Sequence, residues 1–213
     1  MRALLLFFFF LVSVPASFAD QRCDVQGAVQ RADLGDVSLV YQSIGAPRDP
    51  ALLLVMGLGG QLIHWPDDVV EALCRQGFRV IRYDNRDVGL SRWNQLPPSA
   101  NLTVELLRYK LGLPVAAPYT LTDMAGDGLR LMDTLKIRQF HVLGVSMGGM
   151  IAQHLAAMAP ERVRSLTLVM SSSGAAGLPA PSPALVQLLA RRSAPNRAVA
   201  LEQQADLLAA LGL

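Results

Sequence analysis

Around Phe140 to Met158 the hydrophobic rhythm of the chain changes in mid-course. Phe140 to Val145 is a short apolar run of the kind a strand makes, whereas Ile151, Leu155 and Met158 recur at helical spacing. The change falls on Gly144-Val145-Ser146-Met147-Gly148, so the pattern predicts a strand, a tight turn and a helix with Ser146 at the bend. Upstream, Val25 to Ile44 alternates loosely and is broken by Asp33-Leu34-Gly35-Asp36, which predicts two strands joined by a turn at an antiparallel edge. Ala51 to Met56 is continuously apolar, as in a strand covered on both faces, and ends at Gly57-Leu58-Gly59-Gly60. Pro66, at the first helical position, with Asp67 and Asp68 behind it, opens a helix. Val69, Val70 and Leu73 mark its apolar side and Gly77 closes it.

A buried strand is expected from Phe78 to Tyr83, followed by the charged stretch Asp84-Asn85-Arg86-Asp87-Val88-Gly89-Leu90-Ser91. Its charges pair across a tight loop, or the stretch is a solvated polar turn; the sequence leaves both readings open. Residues 94–119 hold Pro97, Pro98, Gly112, Pro114 and Pro118 around a short helical segment at 104–110, and read as a connection within one domain. Thr120-Leu121-Thr122-Asp123 has the form of a capping box, with Met124, Leu131, Met132 and Leu135 on one side of the helix it opens. Pro160 ends the helix after Ser146, and Val163 to Met170 reads as another buried strand. Alternation of strand and helix predicts an α/β fold, a mostly parallel sheet with helices on both faces joined by right-handed crossovers. Ligands of such sheets bind where the strands end. Gly57 to Gly60, Asp84 to Ser91 and Ser146 each follow a strand directly, so three distant loops are expected on one rim.

The ends of the chain read differently. Arg2 precedes an apolar stretch from Ala3 to Val14 interrupted only by Ser13, and Ser17-Phe18-Ala19 has the small-x-small form of a cleavage site. Residues 1–19 are therefore read as a signal peptide, which predicts a secreted or periplasmic protein. A membrane anchor is the rival, but the apolar core falls short of the roughly 20 residues that span a bilayer, so no stable membrane insertion is expected once the signal is removed. Asp20-Gln21-Arg22 before Cys23 is not a lipobox. Two cysteines, Cys23 and Cys74, would then sit in an oxidising compartment. They pair, or Cys74 is a buried apolar residue; spacing does not decide between the two. The formal charge of +2 comes from scattered arginines without interleaved aromatics, which argues against nucleic acid as a partner. Nothing in the sequence specifies an oligomer.

The chemistry is concentrated at Ser146. A serine squeezed between strand and helix takes a strained backbone, and only glycines at 144 and 148 let the two elements approach so closely. The N–H of Met147, opening the helix, has no intrahelical partner and sits at the positive end of the helix dipole. One turn thus offers a nucleophile and half of an oxyanion hole. The glycines at 57–60 do not form a phosphate loop: Leu62 stands where a dinucleotide fingerprint needs its third glycine, and no P-loop lysine follows. No metal cluster or cofactor motif is present, so no cofactor is expected.

Three segments, Leu54-Val55-Met56-Gly57-Leu58-Gly59-Gly60, Tyr83 to Ser91 and Gly144 to Met150, occur in the order seen in α/β-hydrolases, and from Val37 to Gly174 the chain resembles that family. The Asp84-Asn85-Arg86-Asp87 stretch and residues 119–153 are similar to aclacinomycin methylesterase-like hydrolases. The resemblance implies that Ser146 is the nucleophile and that the N–H groups of Leu58 and Met147 form the oxyanion hole, with a small ester-like molecule as substrate. Met56 stands where family members commonly have His, at little expected consequence because the hole uses backbone donors. The resemblance also implies an acid and a histidine after the serine, and this chain does not supply them. His154 lies eight residues along the same helix, roughly 12 Å up its axis at ~1.5 Å per residue; His141 reads as structural, and His64 lies beyond the glycine loop. The organisation expected is a signal peptide at 1–19, the hydrolase core at 20–180, and the start of a helical cap at 181–213, with the fold incomplete at its C-terminus. Two functions follow from this: a serine hydrolase, of ester or perhydrolase and carbon–carbon type, or a non-catalytic binding protein on a hydrolase scaffold.

Overall fold

A computed structural model describes residues 21–95 and 111–175, with individual positions at 104–108 and 177–206. The predicted signal peptide at 1–19 and most of the predicted cap at 181–213 lie outside the described residues. The chain divides after Ser173 into two compact units, and the sheet belongs to the first.

Strands β1 (Gln30–Asp33), β2 (Val37–Ile44), β3 (Ala51–Val55), β4 (Arg79–Tyr83), β5 (Arg92–Trp93), β6 (Phe140–Val145) and β7 (Val163–Val169) form one sheet. Its order is β1-β2-β4-β3-β6-β7, with β5 paired to the start of β2. β2 runs antiparallel to β1, β4 and β5, while β4, β3, β6 and β7 are parallel to one another. The antiparallel edge and parallel centre follow the expected pattern. The two-residue β5 was not foreseen, because it has no apolar run of its own and exists only by pairing with Val37 and Ser38. Every residue of β3 is buried, which is why the segment is continuously apolar.

Among the described residues, three helices cover the sheet: α1 (Asp67–Arg75), α2 (Leu121–Thr134) and α3 (Met147–Met158). On one face Met124, Leu131 and Met132 of α2 and Ile151 and Leu155 of α3 pack on Leu53, Ile81, Phe140 and Val142. On the other, Val70 and Cys74 of α1 join Leu52, Leu54 and Val80. Pro66 is the cap residue of α1, just outside the first turn where it was expected, and Gly77 follows the helix at φ 88°. The capping box of α2 forms as expected. The Thr120 hydroxyl accepts from the Asp123 N–H at 3.2 Å, and the Asp123 carboxylate accepts from the Thr120 N–H at 2.7 Å. Cys23, in a 3-10 turn, and Cys74 form a disulfide with Cα atoms 5.7 Å apart. Both cysteines are buried, and of the two readings of Cys74 the structure selects pairing. β7 is the last strand of the described sheet, and Leu166, Leu168 and Val169 are exposed along it. Among the described residues no helix is long and apolar enough to cross a membrane.

Candidate active site

Ser146 sits between β6 and α3 at φ 55°, ψ −124°, a positive-φ conformation that a side chain disfavours by about 1–3 kcal/mol. Neighbouring elements hold it there. Its N–H donates to the Val169 carbonyl of β7 at 2.9 Å, and its own carbonyl accepts from Gly149 N–H at 2.9 Å, which begins the helix. The residue is exposed. Its flanking glycines are dictated by contact: a Cβ on Gly144 would meet the Gly148 carbonyl, and one on Gly148 would fall 2.6 Å from the Met56 carbonyl oxygen and closer still to that of Val55. The end of β3, the end of β6 and the start of α3 therefore touch backbone to backbone.

Beside this turn lies Gly57. A Cβ there would stand 3.2 Å from Ser146 Cβ and 3.7 Å from its Oγ, so the glycine loop passes against the serine. The Gly60 N–H donates to the Gly57 carbonyl at 3.1 Å and closes a turn over Leu58 and Gly59. That bond uses neither the Leu58 nor the Gly59 amide, and Leu58 is 64% exposed. Met147 is the first residue of α3, where an N–H has no intrahelical acceptor. The structure thus brings the Ser146 turn, the Met147 amide and the Leu58 loop to the same rim.

The third loop, residues 84–91, is neither a solvated turn nor a loop whose charges pair across it. Asp84, Asn85, Arg86 and Ser91 are all buried. Arg86 turns away from its own loop to make a bidentate ion pair with Asp127 of α2, both contacts at 2.7 Å. Asp127 also accepts from Arg130 at 2.6 Å, and Arg130 reaches Asp36 at 2.6 Å. Hydrogen bonding to Arg130 holds the Asp36 carboxyl below the usual carboxylate range. The Arg86 guanidinium stacks over Tyr119, 4.9 Å from the ring centre. Nothing in the local spacing marks Asp127 and Arg130 as partners, because they lie some forty residues away on a helix that packs against the loop only in the fold. Within the rim, Asp84 accepts from Leu62 N–H at 2.6 Å and from Leu90 N–H at 3.0 Å, and Asn85 donates to the Met56 carbonyl at 2.9 Å.

The three histidines have other partners. His154 Nδ1 is 3.1 Å from Thr122 Oγ1, and His64 Nδ1 accepts from the Gln61 N–H at 3.1 Å. His141 belongs to β6, and its Nδ1 lies 2.7 Å from Ser165 Oγ. Among the described residues, no cluster of three or more His, Cys, Asp or Glu could hold a metal ion.

A mostly parallel sheet with a strained serine between one of its parallel strands and the following helix is the architecture of an α/β hydrolase. The alpha/beta hydrolase fold family matches residues 50–200, and the chain belongs to that family. It is 37% identical over 138 residues to rhodomycin D methylesterase DauP of Streptomyces sp. (strain C5), covering 65% of this chain and 40% of that protein. It is 30% identical over 138 residues to 3-oxoadipate enol-lactonase 2 of Acinetobacter baylyi, covering 65% of this chain and 43% of the relative. The chain thus spans about two fifths of the length of these curated relatives. Among solved structures, a hydrolase from Pseudomonas aeruginosa PA01 superposes with a TM-score of 0.57 at 28% identity, over 86% of this chain and 68% of the other.

Proposed function

We propose that the protein is a serine hydrolase that cleaves a small carboxylic ester, with Ser146 as nucleophile and the amides of Leu58 and Met147 as the oxyanion hole. The observation that carries this reading is the exposed Ser146 at φ 55°, backed by Gly57 and followed at once by the N-terminus of α3. Strain of this kind persists only where surrounding structure holds it, and at a strand–helix turn it presents a side chain outward. The hydroxyl attacks the ester carbonyl, the two amides hold the negative charge of the tetrahedral intermediate, the alcohol leaves, and water releases the acid from the acyl-enzyme. Relatives that are named methylesterase and lactonase support a carboxylic ester as the substrate class. Since the chain spans only part of those relatives and its three histidines are engaged elsewhere, we infer that the general base and its acid partner come from outside the described residues.

The test is labelling with a fluorophosphonate probe, which reports an activated serine. Labelling of the full-length protein that is abolished by Ser146→Ala, together with loss of ester hydrolysis, is the expected result. An unlabelled wild-type protein would leave only the binding-protein reading. We also infer export to an oxidising compartment, supported by the signal pattern at 1–19 and by the Cys23–Cys74 disulfide. N-terminal sequencing of the mature protein checks this, with a start near Asp20 expected; an intact Met1 would refute cleavage.

A further inference from the structure

We propose that Asn85 is a positioning residue that sets the Leu58 amide through the carbonyl of Met56; the inference rests on the hydrolase reading above. Asn85 is 1% exposed, and its Nδ2 donates to the Met56 carbonyl at 2.9 Å. Its neighbour Asp84 accepts from the Leu62 N–H at 2.6 Å. Two consecutive residues therefore clamp the two ends of the segment from Met56 to Leu62, and Leu58 lies between the clamps. Inside the segment the Gly60 N–H bond to the Gly57 carbonyl orients one more peptide.

Planarity carries these constraints to the amide. The Met56 carbonyl shares a plane with the Gly57 N–H, and the Gly57 carbonyl shares the next plane with the Leu58 N–H, pointing opposite ways in a trans peptide. Fixing the two carbonyls leaves the Leu58 N–H little freedom. The Met56 carbonyl is also one of the two carbonyls, with that of Val55, against which Gly148 of α3 is packed, so Asn85 ties the donor loop to the helix that carries Ser146. Only a neutral donor suits the position: a carboxylate would face a carbonyl oxygen without a proton, and a leucine of similar shape would leave that carbonyl unbonded in a buried site. A donor displaced by a fraction of an ångström weakens in the transition state, where the oxyanion is held, more than in the ground state.

The experiment uses the full-length protein with Asn85→Leu and Asn85→Asp, active sites being counted by fluorophosphonate titration carried to completion. For N85L we expect kcat on a small ester to fall about 10- to 100-fold with KM within about twofold. Affinity for a trifluoromethyl ketone, which forms a tetrahedral adduct needing the same donors, should fall by the same factor. For N85D the ratio of its kcat to that of wild type should rise as pH falls, because a protonated carboxyl can donate to the Met56 carbonyl. A lowered melting temperature with unchanged kcat per titrated site would make Asn85 merely structural and overturn the proposal, as would an N85D ratio that is flat with pH. Should N85L fail to fold, the N85D pH series decides alone. Activity surviving in Ser146→Ala would instead remove Ser146 as the nucleophile, and an unlabelled, inactive wild type would remove the hydrolase reading, so the failures are told apart.

Discussion

Arg86 and Asp127, one on the rim loop and one on α2, form a bidentate ion pair that is sealed from solvent on both sides. Two buried charges of this kind are weak evidence of net stability as a pair, but removing Asp127 strands Arg86, whereas removing Arg86 leaves Asp127 its Arg130 partner. Asp127→Leu should therefore cost about 3–5 kcal/mol in denaturant unfolding, and Arg86→Met less, since Arg130 still neutralises Asp127. The double variant should recover most of the loss. A double-mutant cycle gives the coupling directly, and additive single costs would refute it.

Gly148 and Gly126 separate two uses of glycine in helices. The first has carbonyls of Val55 and Met56 where a methyl would go, whereas nothing lies within 4 Å of a Cβ on Gly126 in α2. Gly148→Ala should destabilise at the upper end of the roughly 1–3 kcal/mol of overpacked sites, since backbone atoms cannot swing aside. Gly126→Ala should stabilise by about 0.5–1 kcal/mol through lost backbone entropy in the unfolded chain. Paired melting curves check both signs.

The Cys23–Cys74 bond closes a loop of 51 residues and fastens the first described turn to α1. Loop entropy for that length is about 4 kcal/mol, so reduction or Cys23→Ser should lower stability by up to that amount. Unfolding in the presence and absence of reductant measures it. Equal midpoints would mean that the bond constrains little.

Acid should loosen the start of α2 before the rest of the sheet. Hydrogen bonds from Thr120 hold the Asp123 carboxyl below its usual value of 3.8. A lowered folded pKa means stabilisation that is fully present above the unfolded value and is lost as pH falls through the folded one. Protection factors of the amides in the N-terminal turn of α2, corrected for the intrinsic exchange rate, should therefore fall below about pH 4. Asp123→Ala should lack that pH-dependent protection, and Thr120→Ala should cost about 1 kcal/mol at neutral pH.

Much of this molecule was legible along the chain because its signals are local. The apolar run of Ala51 to Val55, the Thr120–Asp123 box and the Gly144–Ser146–Gly148 turn each act within a few residues, where steric exclusion and periodic burial write themselves into neighbouring positions. The strand, helix and serine turn could therefore be placed from residue types alone. The polar wiring of the rim could not. Asp84 to Ser91 was open between a wet turn and a self-paired loop, and the fold selected neither. Arg86 found Asp127 forty-one residues away, Asn85 found Met56 twenty-nine away, and the cysteines met across fifty-one. Such bonds depend on distance in space between groups that carry no shared period. Burial then makes them obligatory, because a charge or amide enclosed by the packed sheet must take whatever partner the packing brings.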